Sequence, residues 1–62
     1  MTVYLMLYLC TSAALDDCQA FVADRWEGPQ ARAECRASVA PTLEHLRAEG
    51  VKHAVAHCES EE

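Results

Sequence analysis

The chain begins with eight consecutive apolar residues, Val3 to Cys10 (V-Y-L-M-L-Y-L-C). Read as a strand, this run is apolar on both faces. Successive strand side chains alternate, so Val3, Leu5, Leu7 and Leu9 share one side while Tyr4, Met6, Tyr8 and Cys10 share the other. A polar connection from Thr11 to Asp17, holding Ser12 and two aspartates, leads to a second apolar segment, Cys18 to Trp26, which carries Phe21 and Val22. Together these segments predict a hairpin with a long loop. Gly28-Pro29 then punctuates the chain, and Pro29 suits the first position of a helix, where a missing N–H costs nothing. From there to Glu49 the apolar positions Ala31, Cys35, Val39, Leu43 and Leu46 recur every three or four residues, which marks the buried stripe of a helix. Gly50 follows as its cap.

Pro41 interrupts that pattern, because an interior proline removes one backbone hydrogen bond and crowds the carbonyl of Ala37. Either the helix kinks there, or it breaks and Pro41 opens a second piece. The stripe stays in phase across Pro41, which favours one kinked helix. Val51 to Cys58 (V-K-H-A-V-A-H-C) reads as a third strand, with Val51, His53, Val55 and His57 on one face and Lys52, Ala54, Ala56 and Cys58 on the other. The acidic tail, residues 59–62, is expected to fray. The expected fold is therefore α+β with the order ββαβ, a single small domain over residues 1–62. The first strand, apolar on both faces, belongs in the centre of a three-stranded antiparallel sheet of order 2-1-3. The kinked helix covers one face of that sheet, and nothing covers the other unless Trp26, the first loop or a bent helix end folds over it.

A chain of 62 residues is near the size at which a core suffices alone, and such chains often lean on disulfides, metals or association. With 52% apolar and 24% charged residues the chain is globular in type. Its net charge of −5 repels phosphate backbones and anionic membranes, so neither nucleic acid nor membrane is an expected partner. Mimicry of nucleic acid needs a dense carboxylate stripe, and here Arg32, Arg36 and Arg47 interleave with the acids. Val3 to Cys10 is too short to span a bilayer as a helix. As a secretory signal it lacks a preceding basic residue, and cleavage after Ala14 leaves an odd number of cysteines. A cytoplasmic location is the expectation, with a periplasmic or secreted one as the alternative.

The cysteines and histidines raise metal binding, disulfides and catalysis in turn. No C-x-x-C pair occurs, and His53 and His57 on a strand stand about 13 Å apart, too far for one ion. A mixed site drawing on Cys10, Cys18, His57 or Cys58 requires the loops to fold back, and a Cys/His metal-binding protein stays as an alternative reading. The hairpin places Cys10 beside Cys18. Cys35 lies about 22 Å back along the helix from Gly50, and Cys58 lies about 23 Å along a strand running the same way, so these two are expected to be neighbours. Both pairs stand as disulfides in an oxidising compartment or as packed thiols in a reducing one. Cys58 and His57 are adjacent in sequence but point to opposite faces of a strand, and only Gly28 and Gly50 are present to build a phosphate loop. The chain is accordingly read as no enzyme, with no cofactor and no metal.

The strand Leu5 to Cys10 ending at a cysteine, the Asp17-Cys18 pair opening the next strand, and Cys35 and Cys58 in the helix and last strand resemble the layout of a loose group of very short, cysteine-containing bacterial and prophage proteins. The resemblance carries no activity with it. It implies a phage or prophage setting, in which small acidic proteins often bind and disable a host factor, including CRISPR machinery. The residues themselves point to contact as the mode of action. Tyr4, Met6 and Tyr8 on an uncovered face would present on the order of 400 Å² of apolar and aromatic surface, of the kind soluble monomers usually hide. The functional expectation is a noncatalytic interaction module that binds a protein partner there or forms a homodimer through it. A disulfide-stabilised secreted or periplasmic domain is the alternative.

Overall fold

The computed structural model describes residues 1–14 and 16–61. It contains β1 (Thr2–Cys10), β2 (Cys18–Glu27), α1 (Ala31–Ala48) and β3 (Ala54–Glu61). The sheet order is β2-β1-β3, with β1 antiparallel to both neighbours. This is the α+β, ββαβ arrangement that the apolar pattern implies. With its central strand apolar on both sides, the sheet buries Val3, Leu5 and Leu7 on one face. Ala31 and Cys35 of α1 complete the core with Val3 and Leu5, and Trp26, Val39, Ala56 and Cys58 pack around it. The Cα envelope measures 36 × 22 × 13 Å, the thickness of one sheet with one helix layer upon it.

The β1–β3 ladder runs without interruption from Thr2↔Glu61 to Leu9↔Ala54. Between β1 and β2 the register shifts at Leu5/Met6, so that Ala23 is the extra residue of a β-bulge. Because of that bulge, Phe21 and Asp24 both pair with helix-side residues of β1, although three positions separate them.

The helix differs in detail from the sequence expectation. Pro29 is not its first residue. Gly28, at φ +110°, turns the chain, Pro29 and Gln30 form the turn, and the Ala31 N–H donates to the Gly28 carbonyl at 3.2 Å. Pro41 lies inside one continuous helix. Both Ala37 and Pro41 are exposed, so water can reach the carbonyl that the missing N–H leaves without a partner. At the other end Gly50 (φ +96°) donates to Arg47 O at 3.1 Å and Val51 to Leu46 O at 2.9 Å. That pair of bonds is the Schellman motif, which a left-handed glycine permits. His45 and Arg47 in the last turn and Glu34 in the first complement the helix dipole.

This termination corrects the third strand. Val51 is held by the helix end, so β3 starts at Ala54 and not at Val51, and it runs on to Glu61. The expected fraying of residues 59–62 does not occur at 59–61, because Glu59, Ser60 and Glu61 pair with Tyr4, Val3 and Thr2. Glu62 lies outside the described residues. His53 stands before the strand, and its carbonyl accepts from the Cys10 N–H at 2.8 Å.

Two disulfides staple the fold, one within the sheet and one between its two layers. Cys10–Cys18 joins directly opposed residues of the hairpin, with Cα atoms 4.0 Å apart. Cys35–Cys58 joins α1 to β3 through the core, with Cα atoms 6.1 Å apart. In the chain-entropy model, loops of these lengths contribute roughly 2.5 and 3.4 kcal/mol respectively, a large share of the stability typical of a small domain. Arg32 also reaches from α1 to the Ser60 hydroxyl on β3.

Candidate interaction surface

Pairing fixes which residues share the sheet face opposite the helix. Residues opposed across a ladder lie on the same face, so each even-numbered residue of β1 brings its partners with it. Tyr4 lies between Arg25 and Glu59, Met6 between Val22 and His57, and Tyr8 between Ala20 and Val55. Thr2 lies between Glu27 and Glu61 at one end, and Cys10 meets Cys18 at the other. Among the described residues α1 is the only helix, and it packs on the opposite face.

This open face is divided along its length. At the end near Thr2 the groups are charged and mutually bonded. The Tyr4 hydroxyl donates to Glu61 Oε2 at 2.6 Å, Arg25 pairs with Glu27, and His57 Nε2 lies 3.1 Å from Glu59 Oε1. The hydrogen bond to Glu61 raises the Tyr4 phenol above its ordinary value of 10.0, since ionisation would remove the donor and set two negative charges together. Arg25 is likewise held in its charged form by its hydrogen bond to Glu27. Towards Cys10 the face is apolar: Met6, Tyr8, Val22, Ala20 and Val55 lie together, and Tyr8 stacks on His57 with ring centroids 5.4 Å apart and 24° between planes. Among the described residues no pocket opens.

Comparison with protein-family models, curated proteins and solved structures found no match. The geometry therefore stands by itself.

Tyr4, Met6 and Tyr8 share the open face, and all three are half-buried. Much of their surface is covered by neighbouring strands, so they expose less than the 400 Å² expected of them. The fuller exposure is on the flanks, at Val22 (53%) and Val55 (38%). Those flanking residues, with Arg25, His57 and Glu59, are the part of the surface that single-strand reading misses. The signal that would have found them is the register: once Cys10 is opposed to Cys18, the β2 partners of Tyr8 and Met6 follow by counting, Arg25 requires the bulge, and Val55, His57 and Glu59 follow from the separate β1–β3 pairing. Trp26 packs against the core on the helix side and does not fold over the open face.

The structure brings Cys10 to Cys18 and Cys35 to Cys58, and leaves no cysteine free. All four sulfurs are consumed in those bonds, so none is a thiolate ligand in this state. Among the described residues no three groups from His, Cys, Asp and Glu are placed to hold one ion. Likewise, no helix among them is long and apolar enough to cross a membrane.

Proposed function

We propose that this chain is a noncatalytic interaction module that docks a protein partner on the open face of its sheet, with Tyr4, Met6 and Tyr8 at the centre and Val22 and Val55 as the exposed flanks. One observation carries the reading: the central strand is apolar on both sides, and among the described residues only one side has a layer of its own chain upon it. Aromatic and methionine side chains of this kind are enriched where proteins meet. Full face-to-face overlap of two copies is disfavoured. A twofold axis along β1 sets the Glu27, Glu59 and Glu61 end of each copy upon the other's, and an axis across β1 at Met6 sets that acidic end upon Tyr8 and Val55. The partner is accordingly a different protein, apolar at its centre and basic towards one rim. A phage-encoded inhibitor of a host protein, comparable to the anti-CRISPR proteins, is the instance that the resemblance to prophage proteins supports.

A second reading concerns the setting. The cytoplasmic location expected from the sequence and a periplasmic or secreted one make opposite demands on four cysteines, and two closed disulfides support the latter. Counting free thiols in protein denatured straight from its native compartment separates the two. No free thiol supports the extracytoplasmic setting, and four would refute it.

The interface is tested by affinity capture from host extract with the native chain, with Met6→Asp, and with Arg36→Glu on the exposed side of α1. The expected result is a discrete partner retained by the native chain and by Arg36→Glu but lost with Met6→Asp. Equal capture by all three contradicts the reading. Light scattering over a concentration series decides the homodimer: a constant monomer mass accords with a different partner, and a concentration-dependent dimer abolished by Met6→Asp assigns the face to self-association.

A further inference from the structure

The two disulfides occupy very different surroundings. Cys35 is fully buried beneath α1, its Sγ 3.8 Å from the Tyr4 carbonyl oxygen, and its partner Cys58, on the edge strand β3, is partly buried and packed against the same core of Val3, Leu5 and Ala31, so one sulfur of this bond is closed to solvent. Cys10 and Cys18 sit at the free end of the hairpin, both partly open to solvent. They are flanked by exposed Thr11, Asp17 and Gln19 and lie outside the buried cluster that Cys35 and Cys58 join. Thiol–disulfide exchange needs in-line approach of a thiolate to a sulfur, so access separates the rates of the two bonds. The hairpin also does not need its bond to stay paired. Its strands are held by the ladder from Leu9↔Gln19 onward, the Thr11 N–H donates to the Asp17 carbonyl at 3.1 Å, and the Cys10 N–H donates to His53 on the β3 side. The helix, meanwhile, stays tied to β3 by the buried bond.

We infer that Cys10–Cys18 is a reversible thiol–disulfide exchange site for dithiol reductants, operating on the folded protein while Cys35–Cys58 remains closed. One thiolate of the reductant attacks a sulfur of the pair, the Cys10–Cys18 bond breaks, and a mixed disulfide forms with release of the other cysteine as a thiolate that takes up a proton. The second thiol of the reductant then resolves the mixed disulfide. The reductant leaves as its cyclic disulfide, having supplied two electrons, and Cys10 and Cys18 are left as thiols. The site lies on the rim of the open face, since Cys10 follows Tyr8 on the same side of β1. Exchange there alters the border of that surface without dismantling the core. This inference is independent of whether the face binds a partner.

Graded dithiothreitol is applied to the native protein, followed by quenching with iodoacetamide, peptide mapping and circular dichroism on the same samples. The expected course is a two-thiol species labelled at Cys10 and Cys18, formed at least about tenfold faster than labelling at Cys35 and Cys58, with the helical signal kept and the bond restored by oxidised dithiothreitol. Simultaneous appearance of all four thiols, or labelling of Cys35 and Cys58 first, would overturn it. A Cys10→Ser/Cys18→Ser variant supplies the second check. It is expected to retain the native helical signal and to resist reduction at Cys35–Cys58, and loss of either property overturns the claim that the exchange leaves the fold intact.

Discussion

The two faces of β1 come from the same nine residues, yet one is a core and the other a surface. The difference lies in what their neighbours allow. On the helix side β3 presents Ala54, Ala56, Cys58 and Ser60, all small, and α1 answers with Ala31 and Cys35, so the helix comes close enough to bury Val3 and Leu5 completely. On the other side β3 presents Val55, His57, Glu59 and Glu61 and β2 presents Ala20, Val22, Arg25 and Glu27, a set that stands up from the sheet and carries charge at one end. On its β3 flank, therefore, the strand meets small residues where the helix seats and large, partly charged ones on the open side, while β2 places Phe21, Asp24 and Trp26 on the helix side.

This contrast can be broken most severely from the covered side. Replacing Cys35 and Cys58 together by alanine releases the helix from the sheet and is expected to cost about 3.4 kcal/mol in the chain-entropy model, read as a shift in the urea midpoint or as outright unfolding. A loss below about 1 kcal/mol would show that packing alone seats α1. Next, Leu5→Ala removes a side chain at 2% exposure and should cost about 3 kcal/mol, while Met6→Ala, its neighbour on the open face, should cost less than about 1 kcal/mol. Equal costs would mean that both faces are core.

The smallest effect separates the charged end of the open face from its apolar end. The Tyr4 phenol is raised in the folded chain by its bond to the Glu61 carboxylate. A group raised on folding stabilises the protein fully below its unfolded value, here about pH 10, and that contribution is lost as pH climbs through the higher folded value. Stability should therefore fall on the alkaline side of pH 10, and Tyr4→Phe should flatten that fall. An identical alkaline profile in the variant would remove Tyr4 as its source.

The fold was legible because β1 is apolar on both sides, which places it centrally, and because Ala31, Cys35, Val39, Leu43 and Leu46 keep helical phase across Pro41. The limits of β3 were not, since the N–H of Val51 is taken by the helix terminus, a hydrogen bond that hydrophobic alternation does not register. Likewise Tyr4, Met6 and Tyr8 could be assigned to one face by alternation, whereas Arg25 could not be placed beside Tyr4 without the bulge at Ala23, which reverses the facing of everything after it in β2. Alternation reads one strand at a time. The surface is made by three.

Both tyrosines of the chain, Tyr4 and Tyr8, lie on the open face, so nitration of tyrosine modifies that face and leaves the helix side untouched. The most direct measurement is therefore partner capture by protein nitrated at Tyr4 and Tyr8 and verified by thermal unfolding to retain its fold. The account predicts that nitrated protein captures no partner, that Tyr8 reacts before the hydrogen-bonded Tyr4, and that partner bound beforehand protects both rings. Undiminished capture by the doubly nitrated, folded protein would contradict it.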